Sequence, residues 1–159
     1  ETGHLVFATL HTQDAAQTID RIIDVFPSHQ QQQIRVQLAN TLEGVVSQQL
    51  LPRADGKGRV AVREVMVITP AISNLMREGK THQIYSAIDT RAKFGMVSID
   101  STLLELVKQR LITVDVALSK SSNPESLRGR INALGMVGAG PSAGPRPVPP
   151  GPAQMGRKI

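Results

Sequence analysis

Two histidines bracket an apolar run near the start of the chain, in Thr2-Gly3-His4-Leu5-Val6-Phe7-Ala8-Thr9-Leu10-His11-Thr12. Imidazole titrates near neutrality and can hydrogen-bond a phosphate or a lytic water. Leu5-Val6-Phe7-Ala8-Thr9-Leu10, apolar but for Thr9, reads as a buried strand, since strands covered on both faces are near-continuously apolar. His11 and Thr12 would then sit at the strand's C-terminal end, outside which open α/β sheets bind ligands. Such a strand spans roughly 20 Å at about 3.3 Å per residue, too far for both rings to touch one phosphate. Their odd separation also puts them on opposite sheet faces. His11 is therefore the better direct candidate and Thr12 a weaker helper. A histidine pair alone is weak evidence of a site, and spacing by itself favours two ordinary, partly exposed strand-end histidines.

Other chemistry is sparse. A phosphate-binding loop reads G-x-x-x-x-G-K-[ST]. Gly56-Lys57 is followed by Gly58, with Leu51 where the first glycine belongs. Gly79-Lys80-Thr81 has Asn74 at that position. The first pair reads better as a hairpin turn, the second as a helix C-terminus with a cation near its negative end. Neither H-E-x-x-H nor G-x-S-x-G occurs. With no cysteine there is no disulfide framework, all-Cys zinc site or thiol nucleophile, and no metal site is expected.

The elements that must position these residues follow from caps and periodicity. Asp14 reads as an N-cap, with Ala15, Ile19, Ile22, Ile23 and Phe26 at helical spacing until Pro27. Ser28 and Gln31 form a capping-box pattern before a second helix through Ile34, Leu38 and Leu42. Val45–Leu51 and Arg59–Ile68 read as strands of a hairpin around Pro52-Arg53-Ala54-Asp55-Gly56-Lys57-Gly58. Thr69-Pro70 opens a short helix that Gly79 ends. Further helices are expected from His82 to Ile88, along the face Ile99, Leu103, Leu106 and Arg110, and from Thr113 and Asn123-Pro124. The change from mixed to all-helical pattern at residue 70 marks a division: 1–69, with a strand, two helices and a hairpin, then 70–134, helical. From 135 to 159 six Gly and six Pro fall between Gly135 and Gly156. That stretch reads as a flexible, disordered tail. Its Pro147-Val148-Pro149-Pro150 fits P-x-x-P, a pattern that Pro-rich sequence meets by composition.

The chain has 159 residues, 40% hydrophobic but only 3% aromatic, so its core must be aliphatic. No apolar run approaches the roughly 18 residues of a membrane helix, and no secretory signal opens the chain. Net charge is +5 and the pI about 10.1. Three of the 18 basic residues, Arg146, Arg157 and Lys158, lie in the tail, leaving 15 against 13 acidic. That balance, without a basic stripe or aromatic platform, argues against nucleic-acid binding. A buried strand so near residue 1 has few upstream neighbours, so the chain is expected to be part of a longer protein.

The histidine-flanked stretch Thr2–Thr12 closely resembles the His box of the type IV pilus and type II secretion ATPases. Thr18-Ile19-Asp20-Arg21-Ile22-Ile23-Asp24-Val25-Phe26-Pro27 narrows the resemblance to the pilus-retraction, PilT-like branch. Ser47-Gln48-Gln49-Leu50-Leu51 and Glu64-Val65-Met66 match that branch's hairpin. Ala71-Ile72-Ser73-Asn74-Leu75-Met76-Arg77-Glu78 looks like its A-I-R-N-L-I-R-E helix, with Ser73 where the family usually has Arg. The likeness covers about residues 1–130. Family members place the phosphate-binding loop, Asp box and Walker B segment upstream of this region.

This resemblance implies an α/β fold: the C-terminal part of a RecA-like ATPase core, followed by a small helical domain. It implies a cytoplasmic homo-hexameric motor that hydrolyses ATP with Mg2+ to power pilus retraction and twitching motility. The motor would act at the inner face of the cytoplasmic membrane, on an inner-membrane pilus platform protein, without membrane insertion. His4, His11 and Thr12 would be catalytic, and Ala71, Ile72, Asn74, Leu75, Arg77 and Glu78 would couple to partners. Without the loop, this chain alone is expected to bind no ATP or Mg2+ and to be inactive. Arg21 is more simply an ion-pair partner on its own helix. Two alternatives stay open: a non-catalytic module binding pilus or secretion machinery, and a type II secretion or pilus-assembly ATPase paralogue.

Overall fold

The computed structural model describes residues 3–90 and 94–135. Side-chain caps set most helix starts. Asp14 is extended and its carboxylate accepts the Gln17 N–H at 2.8 Å, opening α1 (Ala15–Asp24). Ala15, Ile19 and Ile23 bury one face of α1, and the helix ends just before Pro27. In α2 (Ser28–Thr41) Pro27 itself holds the N-cap position and no side chain caps the helix. The Ser28–Gln31 capping box does not form: Ser28 already lies within the first turn, and the Gln31 amide donates instead to the Phe26 carbonyl at 3.2 Å.

Strands β1 (Gly44–Pro52) and β2 (Arg59–Val67) make an antiparallel hairpin with Ser47 opposite Glu64. Gly44 is required by close approach, since a Cβ there would lie 2.8 Å from the Met66 carbonyl oxygen. At the turn, the Asp55 carboxylate accepts the Lys57 N–H at 2.9 Å. One face of the hairpin buries Ser47, Leu51, Val62, Glu64 and Met66. The other carries Val46 and Leu50, both exposed. Val97 adds an isolated antiparallel bridge to Val65.

Thr69 caps α3 (Pro70–Arg77), with Pro at its first position. Gly79, at φ +68°, closes it: Gly79 N–H donates to the Met76 carbonyl and Lys80 N–H to that of Leu75, a Schellman ending. A 3-10 turn (Thr81–Gln83) leads into α4 (Ile84–Asp89). Then come α5 (Ile99–Lys108), α6 (Val114–Lys120) and α7 (Pro124–Ala133), capped by Ser98, Thr113 and Asn123.

The hairpin's inner face supports two apolar clusters. Leu51 and Val62 pack with Ile99, Leu103, Leu106, Ile112, Leu127 and Ile131. Met66 packs with Ile19, Ile23, Ile72, Met76, Ile84 and Ile88. Each cluster joins residues from both sides of position 70.

Two expectations fail locally. Leu5–Leu10 is not a buried strand: Leu5, Val6 and Phe7 are 74%, 78% and 89% exposed. A strand needs a ladder partner, and among the described residues the sheet holds β1 and β2 only. Without that strand, the odd separation of His4 and His11 does not set them on opposite faces of a sheet. Arg110 does not continue the α5 face either. The helix ends at Lys108, and Arg110 is exposed with φ +56°. The Gly/Pro-rich tail from residue 136 lies outside the described residues.

Candidate functional site

The segment leading into α1 carries the residues singled out for chemistry. His4 and His11 are both exposed, and Thr12 is half-buried. Thr12 Oγ1 lies 2.7 Å from Thr18 Oγ1, and Thr18 Oγ1 donates to the Asp14 carbonyl at 2.8 Å. A hydroxyl has one proton, so Thr12 is the donor to Thr18. Its hydroxyl therefore meets a ligand as an acceptor, not a donor, which makes it a poor phosphate binder in this arrangement. His11, on the exposed stretch before this anchor, is open to a ligand from outside the chain.

What holds the anchor was not read from the sequence. Glu64 Oε1, on β2, accepts the Ala15 N–H at 2.7 Å. Glu64 is 1% exposed. Burial pushes its carboxyl above the ordinary value, against the pull of backbone donors from Ala15 and Ile99, while Asp14 and Asp100 add to the rise. The signal lay in strand parity: Glu64 shares a face with Val62 and Met66. Tyr85 is pushed up as well, by burial first and then by Asp14.

Helix α3 divides as its periodicity predicts. Ile72 and Met76 are buried and Leu75 is half-buried, whereas Asn74, Arg77 and Glu78 are exposed. Ala71 is half-buried. The exposed side is already organised: Asn74 donates to Glu78 at 2.8 Å, Glu78 pairs with Lys80 at 2.8 Å, and Arg77 donates to Asn40 Oδ1 at 2.6 Å. The Lys80 contact first, and then the Asn74 hydrogen bond, hold the Glu78 carboxyl below its ordinary value. Ser73 is buried and donates to the Ala39 carbonyl at 3.0 Å, so it packs α3 onto α2.

A cleft of about 270 Å³ opens between β2, α4, α5 and α7. Its polar lining includes Glu64, Tyr85, Asp89, Ser98, Asp100 and Arg130. Ser98 donates to Asp89 at 2.7 Å, and Arg130 lies 3.8 Å from the same oxygen. Asp100 accepts the Ser122 and Asn123 N–H groups at 2.9 and 3.1 Å. Among the described residues no cluster of His, Asp and Glu could hold a metal ion. Nor is any described helix long and apolar enough to cross a membrane.

The helix pair, the hairpin and most of the helical region built against it fall within residues 1–115, which fit the family described as type II/IV secretion system protein. The chain belongs to that family. It is 49% identical over 126 residues to the type IV pilus retraction ATPase PilT of Pseudomonas aeruginosa, across 79% of this chain and 36% of that one. It is 47% identical over 127 residues to a twitching motility protein of Neisseria gonorrhoeae, across 80% of this chain and 34% of the relative. The pilus retraction motor PilT, crystallised with bound ADP, superposes with a TM-score of 0.69 at 45% identity, over 81% of this chain and 36% of that one. The chain thus spans about a third of the length of these relatives.

Proposed function

We propose that this chain is the C-terminal part of a homo-hexameric ATPase that powers pilus retraction and twitching motility. The observation that carries this reading is the 47–49% identity to a twitching motility protein and a pilus retraction ATPase over about four-fifths of the chain. Residues 1–69 contribute to the RecA-like core and 70–134 form the helical domain. In the assembled protein the rest of the core gives Leu5–Leu10 the strand neighbours that its apolar sequence calls for.

ATP, with Mg2+, supplies the phosphoryl group whose transfer drives the motor. Catalysis of that transfer is mostly positioning and charge stabilisation. His11 polarises the phosphate region and Thr12 anchors the segment behind it, while His4 acts from the segment's other end, towards a neighbouring subunit. The exposed Asn74, Arg77 and Glu78 couple the motor to its partners, among them an inner-membrane platform protein at the cytoplasmic face. Alone, the chain lacks a phosphate-binding loop and is inactive.

The test is His11→Ala in the full-length protein. Phosphate release should fall to background while nucleotide affinity, hexamer and thermal midpoint stay near wild type, because the ring is exposed. His4→Ala should lose less turnover and more assembly. Full turnover in a well-folded His11→Ala hexamer returns both histidines to ordinary surface residues.

A further inference from the structure

We propose that the cleft between β2, α4, α5 and α7 binds an alkylguanidinium group, whose charge meets the buried carboxyl of Glu64. The proposal does not depend on the motor reading.

Glu64 is 1% exposed, on the hairpin face that also buries Val62 and Met66. The structure gives its carboxyl one hydrogen bond, from the Ala15 N–H to Oε1 at 2.7 Å. Among the described residues no basic side chain forms an ion pair with it. The charges that act on it most, Asp14 and Asp100, are both negative. A carboxylate buried this far is costly without a cation beside it. Glu64 also lines the cleft, so a cation from outside the chain reaches it there.

The rest of the lining is rich in acceptors. Ser98 and Arg130 both approach Asp89 at Oδ1, which leaves Oδ2 without a hydrogen bond. Asp100 takes the neutral N–H groups of Ser122 and Asn123, one on each oxygen, so its charge is not offset. Against these three carboxyls the lining sets Arg130, 3.8 Å from Asp89, and the exposed His82. The surplus of acids favours a cation over an anion.

The cation is not a metal ion, since no cluster of His, Asp and Glu among the described residues could hold one. A planar guanidinium spreads its charge over five donors and can face carboxyls that no single ion bridges. Tyr85, half-buried, walls the cleft with an aromatic ring, a surface on which guanidinium groups stack. The volume, about 270 Å³, lies below the roughly 300–1,000 Å³ of sites for drug-sized ligands and suits one head group on a short stem. An arginine side chain of a neighbouring copy presents that group, and so does a free guanidino compound.

The experiment is calorimetric titration of the full-length protein with ethylguanidinium chloride at constant ionic strength. Wild type should bind it saturably with a Kd of about 1 mM, the scale for a ligand of so few atoms. Ethylurea has nearly the same shape without the charge and should bind about tenfold or more weakly. Glu64→Gln keeps the side chain's size and one oxygen acceptor, and should weaken ethylguanidinium by about tenfold or more. Ser126→Trp crowds the cleft from an exposed position and should give the same loss even if Glu64→Gln does not fold.

Repeating the titration across protein concentration separates the two sources. One site per chain at every concentration marks a free guanidino compound. Sites lost as copies associate mark an arginine of a neighbouring copy. Equal binding of ethylurea overturns the proposal, as does undiminished affinity in Ser126→Trp or in a folded Glu64→Gln. So does a dilute wild type with no saturable binding of ethylguanidinium.

Discussion

Replacing Ile72 by Ala should loosen α3 far more than any change on the helix's outer side. Ile72 is 0% exposed and sits in the cluster formed with Ile19, Met66 and Met76. The substitution removes three carbons, worth about 2.4 kcal/mol at roughly 0.8 per buried methylene. The cavity left behind adds to this, for a total of about 3 kcal/mol within the usual 2–5 for such truncations. An eight-residue helix lies below the dozen or so needed for stability alone, so docking holds it. Local opening therefore absorbs the loss. At about 1.4 kcal/mol per tenfold, protection of the Ser73–Arg77 amides in native-state hydrogen exchange should fall roughly a hundredfold. Asn74→Ala breaks one exposed hydrogen bond, to Glu78, and should stay within about 0.5 kcal/mol of wild type. A fall below about fivefold in Ile72→Ala, or an equal effect of Asn74→Ala, refutes the docking account.

Two further outcomes are expected. Glu78→Ala in the full-length protein should lower pilus retraction, scored by twitching, more than it lowers ATP hydrolysis; a proportional fall in both removes α3 as a coupling element. Glu64 has its folded-state carboxyl raised by burial, so the folded state binds the proton more tightly than the unfolded chain. Stability from this group therefore rises as pH falls through the raised value towards the ordinary carboxylate range. Thermal midpoints of wild type and Glu64→Gln, compared from pH 7 to 5, should shift relative to each other in favour of wild type on acidification; a constant gap or the opposite trend contradicts the assigned direction.

Local chemistry explains what was legible in the sequence. Asp14, Thr69, Thr113 and Asn123 each place an oxygen over first-turn N–H groups, a decision made within four residues. The hairpin was equally plain, because turn residues separate two β-rich runs. Ser28 misled because Pro27 takes the cap position, one residue earlier than the capping-box spacing assumes. Leu5–Leu10 misled for a deeper reason: an apolar run states that it wants cover, but not which part of the chain provides it. The histidines were visible as types and spacing, and the structure leaves both rings exposed at the two ends of the segment before α1. Glu64 escaped notice because a charged residue in an alternating strand is usually turned to solvent. Its inward parity with Val62 and Met66 outranks its charge here, with the Ala15 N–H at the start of α1 supplying a hydrogen bond.

The two apolar clusters rest on opposite ends of one hairpin face, Leu51 and Val62 towards the turn and Met66 towards the open end. The hairpin is therefore a splint common to both. Peeling β2 from β1 would strip each cluster of its floor in the same event, so loss of the hairpin undoes both together. A proteolytic nick at the Arg53–Gly58 turn would therefore weaken the helices on both sides together.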